Sequence, residues 1–286
     1  MTSLTVESVG MLAVLEDRGR CGLAHLGVGR SGAADRASYD LANRLVGNRL
    51  DAACIEATLG RLVFRVDATV LVAVTGAPVA IHCGDGDQSV NTAFAAHAGD
   101  TVTLGVPTAG LRSYVALRGG LAGERVLGSV SWDTMARLGT PPLRAGDVLG
   151  TGDAAGAWPA ADCAPVAAMD GSALELPLLL GPRDDWFTDE ALDRLATEQF
   201  TVSSDADRVG IRLDGPELPR LRTGELASEG VVLGALQIPT RGRPTLFLAD
   251  APVTGGYPVI GVVPRSGVDR AAQAAPGTRV GFKPHR

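Results

Sequence analysis

The feature that most constrains this chain is how briefly its apolar runs last. Runs of three to eight residues at 4–6, 62–66, 70–74, 79–82, 101–104, 113–117, 176–180, 211–213, 231–238, 245–248 and 259–263 are separated from one another by glycine, proline or aspartate. Segments of that length suit strands and are too short for helices that bury a face. With 37 glycines and 17 prolines, turns are many and elements short. Gly84-Asp85-Gly86-Asp87 marks a tight turn between two strands. Apolar runs recur along all 286 residues, so collagen-like and disordered chains are excluded and a real core is expected.

Helical patterns are few. Residues 34–46 place Ala37, Leu41, Ala42, Leu45 and Val46 on one face, with Gly47 as the stop. A second helix is predicted to open at Thr188, whose hydroxyl caps an acidic first turn. A third is predicted over 267–274, with Ser266 as its cap and Pro276-Gly277 at its end. Residues 150–173, rich in Ala, Gly, Pro and Asp and without period, read as a linker or long surface connection.

The two flanks of that connection look related. Residues 4–10 resemble 174–181; Asp35-Arg36 aligns with Asp207-Arg208, Glu56 with Glu229, 71–77 with 245–251, and 98–102 with 276–280, always in the same order. The pattern predicts a first β-barrel repeat over 1–105, added strands and a connection over 106–173, and a second repeat over 174–286. A crevice between two such domains is a natural ligand site.

Charge narrows the function. The net charge is −6, and of 26 basic residues all but Lys283 are arginine. A phosphate loop ending in Gly-Lys-Ser/Thr is therefore absent, and a Schiff-base or biotin-bearing lysine finds no suitable setting. Anion recognition falls to Arg forks or backbone N–H groups. A mildly acidic chain without basic clusters argues against a nucleic-acid partner. Cys21, Cys54, Cys83 and Cys163 are far apart and His25, His82, His97 and His285 scattered, so no metal site is expected. Apparently free thiols, with neither a signal peptide nor a membrane span legible, predict a cytoplasmic protein.

Gly27, Gly29 and Gly32 match Gly-x-Gly-x-x-Gly, and Asp51 lies where a ribose-binding acid would stand. No apolar strand precedes them and βαβ alternation is missing, which argues against a dinucleotide fold. The loop reads either as a turn offering N–H groups to an anion at a helix start or as a change of chain direction. The charged stretch 16–20 reads either as a solvated hairpin tip or as an element facing a cleft. Asp35-Arg36 and Asp207-Arg208 read either as adjacent surface charges or, from their recurrence at equivalent places, as sharing a structural job such as pinning a helix start or loop. Gln237 precedes Pro239 at a strand end, and Glu229 precedes an apolar strand. Asp250 ends a strand beside Thr254-Gly255-Gly256-Tyr257-Pro258, which makes it the strongest candidate on chemistry, with turn capping as the other reading. No Gly-x-Ser-x-Gly element exists.

Taken together, several segments resemble one family, which goes by the names of the C-type 5-oxoprolinase subunit, allophanate hydrolase subunit 2 and the KipA-type biotin-dependent carboxyltransferase domain. The resemblance rests on Asp17-Arg18-Gly19-Arg20, Ser31-Gly32-Ala33, Glu56-Ala57-Thr58-Leu59-Gly60, Leu117-Arg118-Gly119-Gly120, Gly181-Pro182-Arg183, Arg208-Val209-Gly210, Ser228-Glu229-Gly230, Gln237-Ile238-Pro239, Asp250 and Thr254 to Pro258, and it covers essentially the whole chain. It implies tandem cyclophilin-like β-barrels. It also implies a KipI-type partner (the B-type 5-oxoprolinase subunit, or allophanate hydrolase subunit 1) and a third subunit, together opening 5-oxo-L-proline to L-glutamate with ATP bound through the complex. Alternatives within the resemblance are carboxyl transfer from a separate biotin carrier to urea, with no biotin on this chain, and a non-enzymatic antagonist of a histidine-kinase inhibitor. An amidase of the Ser-Ser-Lys type does not fit a chain whose one lysine is Lys283.

Carried over residue by residue, the resemblance implies catalytic roles for Asp250, Glu229, Gln237 and Tyr257. Arg118, Arg212 and Asp35 are implied to bind substrate. The arginines would hold an anion, Gln237 and Tyr257 orient a carbonyl or amide, and Asp250 or Glu229 serve as base or orienting acceptor. This chain carries Ala251-Pro252-Val253 where the family usually has Arg-Gln-Thr, and Gly29-Arg30 for a usual Pro-Pro. The expectation is a chemistry that differs or leans more on the partner, with Arg241 and Arg243 as candidate substitutes.

Overall fold

The computed structural model describes residues 2–169, 171–222, 224 and 226–285. The chain is mainly β, with three α-helices among the described residues. It divides into two compact units: unit 1 comprises 1–20, 35–133 and 137–170, and unit 2 comprises 21–34, 134–136 and 171–286.

Unit 1 holds β1 (Ser3–Val9), β2 (Leu12–Glu16), α1 (Arg36–Leu45), β3 (Cys54–Thr58), β4 (Leu62–Val66), β5 (Val70–Gly76), β6 (Ile81–Cys83), β7 (Gly86–Gln88), β8 (Thr92–Ala96), β9 (Thr101–Leu104), β10 (Arg112–Leu117) and β11 (Val148–Gly150). Its strands form two sheets, ordered β11-β1-β4-β9-β6-β7 and β2-β3-β10-β5-β8. One apolar cluster, including Leu4, Phe64 and Val102 of the first sheet and Ile55, Val72 and Val115 of the second, fills unit 1. Leu62, Phe64 and Val66 of β4 point inward and Arg65 outward, the period-two pattern of a strand with one wet face. β10 is buried at all six positions because α1 packs on β10 and β5 from the side away from that cluster.

Unit 2 holds β12 (Leu174–Leu180), α2 (Asp189–Thr197), β13 (Phe200–Val202), β14 (Gly210–Asp214), β15 (Glu229–Gly230), β16 (Ala235–Gln237), β17 (Thr245–Phe247), β18 (Thr254–Gly255), β19 (Val259–Val262), α3 (Arg265–Ala271) and β20 (Arg279–His285). Seven strands close a barrel in the order β12-β19-β16-β17-β14-β13-β20, and β15 and β18 form a separate ribbon. Leu176, Phe200, Leu213, Leu236, Ile260 and Phe282 fill the barrel.

The local expectations fare well where the signal is local. Cys83 pairs with Gly86 across the predicted turn, where Gly84 has φ +57°. Thr188 caps α2, its Oγ1 accepting from the Ala191 N–H at 3.2 Å. Three expectations need correction. On α1 the inward face is Tyr39, Ala42, Asn43 and Leu45, while Ala37 is exposed. Tyr39 and Asn43 can be buried because the phenol's single proton is donated to the Ala52 carbonyl at 2.7 Å, with the Leu50 carbonyl also within reach at 3.0 Å, and the Asn43 amide donates to Ala52. α3 begins at Arg265 behind Pro264, with no side-chain cap from Ser266. The predicted strand 231–238 survives only as β16, because Gly234 turns left-handed (φ +83°), where a Cβ would lie 2.2 Å from the Val263 carbonyl oxygen. The connection 150–173 is mostly exposed and stitched to unit 1 by bridges from Asn48 to Ala155 and Thr92 to Cys163.

Candidate functional site

Asp250 follows β17 and is almost without exposure, at 1%. Its Oδ1 accepts from Ser31 Oγ (2.8 Å) and Arg208 Nη2 (3.2 Å). Its Oδ2 accepts from Arg208 Nε (3.1 Å) and from the Thr134 N–H and Oγ1 (3.0 and 2.7 Å). Arg208 also donates to the Gly32 carbonyl at 2.8 Å. Five donors thus converge on one carboxylate, which ties both early excursions into unit 2, residues 21–34 and 134–136, to the barrel. Ser31 reaches it with φ +53°, an uncommon conformation for a residue with a side chain. A carboxylate so saturated is built to hold chain.

A more open group lies at the rim of the same barrel. Glu229 of β15 is in register with Gly255 of β18. Gly255 leaves room for Gln237 from the end of β16: a Cβ there would stand 2.7 Å from the Gln237 amide nitrogen. That amide donates to the Tyr257 carbonyl at 3.0 Å and is largely buried, whereas the Tyr257 ring is about half exposed. Arg183 forks onto Glu229, with Nε at 3.0 Å from Oε2 and Nη2 close on Oε1. The fork holds the Glu229 carboxyl below the usual carboxylate range, first by its hydrogen bonds and then by its charge, against an opposing effect of burial. Arg183 is placed by the turn after β12, where its N–H bonds the Val259 carbonyl. Arg220 Nη2 donates to the Ile238 carbonyl, and its guanidinium carbon lies 5.8 Å from the centre of the Tyr257 ring.

Of the seven residues expected at a site, the rim therefore gathers Glu229, Gln237 and Tyr257. Asp250 lies in the saturated cluster. Arg212 is exposed on β14 and donates to the Asp205 carbonyl at 3.1 Å. The other two belong to unit 1. Arg118 donates to the carbonyls of Val46, Gly47, Gly156 and Ala157 and stacks 4.4 Å from the Trp158 ring centre. Asp35 caps α1, accepting from the Ser38 N–H and Oγ, while its own N–H bonds the Tyr114 hydroxyl. Tyr114 in turn donates to Glu56 Oε2 at 2.8 Å. Burial, reinforced by the Glu56 charge, keeps that phenol protonated far above its ordinary range.

Two further expectations are resolved here. The stretch 16–20 is no solvated hairpin tip, since Glu16, Asp17 and Arg20 are all buried. Asp17 accepts from Ser129 Oγ, Ser131 Oγ and the Gly19 and Val130 N–H groups, which satisfies a charge that the core would otherwise reject. The start of α1 offers no open anion seat, because the Asp35 carboxylate already occupies it. Asp207 does share the job of Asp35, its Oδ1 accepting from the Val209 and Gly210 N–H groups. Glu56 and Glu229 differ, one buried in a central strand and the other in the ribbon.

Sequence reasoning left Arg183 and Arg220 off the site, and Ser31 and Thr134 with them. Arg183 carried a signal, since it sits in the Gly181-Pro182-Arg183 block. Arg220 had none. Of the two candidate substitutes, Arg241 is exposed and Arg243 pairs with Asp214 at 3.0 Å.

The carboxyltransferase domain family, subdomains A and B, matches residues 26–284. Among relatives, the C-type 5-oxoprolinase subunit of Escherichia coli (strain K12) is 31% identical over 98% of this chain and 90% of its own length. Among solved structures, that of TTHA0988 superposes with a TM-score of 0.90 at 35% identity, over 99% of this chain and 56% of that one. The K. lactis urea amidolyase superposes with a TM-score of 0.92 at 26% identity, over 99% of this chain and 19% of that one. This chain thus spans most of the E. coli protein, about half of TTHA0988 and under a fifth of the amidolyase.

Proposed function

The chain belongs to the carboxyltransferase domain family, subdomains A and B, and from that premise we propose that it is the C-type subunit of an ATP-dependent 5-oxoprolinase. In this reading it opens 5-oxo-L-proline to L-glutamate with a KipI-type subunit and a third subunit, and is inactive alone. The observation that carries the reading is the end-to-end correspondence with a protein that itself bears the name of the C-type 5-oxoprolinase subunit. Such a subunit leaves part of the chemistry to others, and this chain fits that division. Its one lysine, Lys283, leaves it without a Gly-Lys-Ser/Thr phosphate loop, and in this reading ATP is bound through the complex.

The rim residues then act on the substrate. Gln237, fixed by the Tyr257 carbonyl, presents a neutral amide able to pair with a lactam. Glu229, held ionised by Arg183, accepts or orients a proton near that group. Asp250 is a positioning residue that keeps the chain leading to Thr254–Tyr257 in place. The assembly is a hetero-oligomer in this proposal. No helix among the described residues is long and apolar enough to cross a membrane.

A second reading, carboxyl transfer to urea or a related acceptor, is favoured by one observation, the superposition on the K. lactis urea amidolyase. It requires a biotin carrier on another chain. The deciding experiment is phosphate release from ATP by the assembled subunits, with and without 5-oxo-L-proline, and with this chain left out as control. Stimulation that needs both the chain and 5-oxo-L-proline supports the hydrolase. A stable complex without stimulation overturns it. Urea-dependent loss of label from carboxybiotin would then support the second reading, and its absence would leave the binding role of an antagonist.

A further inference from the structure

Every other arginine in unit 2 with a described contact faces a carboxylate or lends its fork to main chain on the surface; Arg220 does neither fully. It is partly buried and spends one donor on the Ile238 carbonyl, while its Nε is shut away from water with no acceptor among the described residues. It makes no ion pair among the described residues. Burial lowers its pKa, which marks a cation whose lost hydration has not been replaced. Holding a guanidinium this way is costly unless an anion completes it.

The backbone beneath it is rigid. Arg220 bridges Phe187, and the neighbouring Leu221 N–H bonds the Trp186 carbonyl at 2.8 Å. The Cα that carries the guanidinium is thereby pinned. Its neighbours are Ile238, which follows Gln237, and Tyr257, whose carbonyl receives the Gln237 amide and whose ring lies beside the cation. Arg183, the other arginine of the rim, is already neutralised by Glu229. One open cation, one fixed amide and one half-exposed aromatic ring suit a singly charged, compact and planar ligand. A phosphate, with two charges, would ask for a second donor cluster that this rim does not offer among the described residues.

We propose that Arg220, with Gln237 and the Tyr257 ring, forms a subsite for the carboxylate of a small organic acid at the rim of the unit 2 barrel. This rests on the reading that the rim takes the substrate, and it assigns the carboxylate end of that substrate to Arg220. Arg220 contacts the ligand's charged group; the bond-breaking chemistry lies with others.

The test is binding to the full-length chain by calorimetry, using 5-oxo-L-proline, 2-pyrrolidone (the same ring without the carboxylate) and cyclopentanecarboxylate (a ring with one carboxylate and no lactam). Wild type is expected to bind the two carboxylates at least tenfold more tightly than 2-pyrrolidone. Arg220→Gln should abolish that preference and Arg220→Lys keep part of it, with unchanged circular dichroism showing that both fold. Side-chain nitrogen NMR adds an independent reading, because the Arg220 Nε–H signal should move on adding cyclopentanecarboxylate. Failure of wild type to prefer carboxylates, or an unaltered preference in Arg220→Gln, overturns the subsite. Carboxylate preference lost in Arg220→Gln, in a complex that shows no 5-oxo-L-proline turnover, keeps the subsite and removes only the hydrolase reading. Normal turnover with unaltered KM in Arg220→Gln overturns the subsite while sparing the hydrolase.

Discussion

Asp250 and Arg208 meet side by side inside unit 2, Nε on Oδ2 at 3.1 Å and Nη2 on Oδ1 at 3.2 Å, with both side chains practically sealed from water. Neither charge would survive there alone. The pair is completed by Ser31 and Thr134, which brings two distant stretches of chain to one carboxylate.

Removing one member should therefore unfold before it inactivates. Asp250→Asn leaves the buried Arg208 without its counter-charge and is expected to cost about 3–5 kcal/mol. Urea unfolding measures this directly. Replacing both, as Asp250→Leu with Arg208→Met, should be less damaging than the sum of the single changes, because no charge is then stranded. A stable Asp250→Asn protein that loses only turnover would instead place Asp250 among the catalytic groups.

Arg118 is expected to act on stability too. Its fork closes the carbonyls of residues 46–47 against those of 156–157, with Trp158 lying over it. Arg118→Ala should cost about 1–3 kcal/mol, alter Trp158 emission and admit protease to the connection around 152–159. Unchanged proteolysis with loss of ligand binding would return Arg118 to the substrate-binding role that the family resemblance implies.

Tyr114→Phe tests the buried relay of unit 1. The hydroxyl donates to Glu56 and accepts from the Asp35 N–H, so its loss removes two hydrogen bonds with no route for water. We expect a loss of about 2 kcal/mol, seen as a lower unfolding midpoint with an unchanged urea slope.

These cases show what the sequence could and could not disclose. Thr188 and Asp35 announce their roles because a cap and the N–H groups it serves lie within three residues. The short runs likewise become strands because glycine and proline stop them locally. Asp250 was conspicuous for its place at a strand end, but its donors come from positions 31, 134 and 208, and nothing local predicts that convergence. The same holds for Arg118, whose acceptors are main-chain carbonyls that any residue could supply. Arg220 was illegible for the opposite reason: its significance lies in a partner that the described residues do not provide.

The Arg183–Glu229 fork yields a pH signature with a definite sign. Arg183 holds the Glu229 carboxyl below the ordinary carboxylate range, so the native state favours the ionised form more than the unfolded chain does. Stability from this source is complete above the ordinary glutamate value of about 4.3 and is lost as the pH falls through the lower native value. The stability difference between wild type and Glu229→Gln should thus stay level from pH 8 down to about 5 and shrink only at more acid pH. Because the fork is partly exposed, moderate salt should reduce the difference at every pH. Turnover provides the contrast: if Glu229 handles a proton as proposed, Glu229→Gln depresses kcat across the range where its stability effect is flat. A difference that grew toward acid pH would mean that Glu229 is protonated in the native state, and the fork would then be no ion pair.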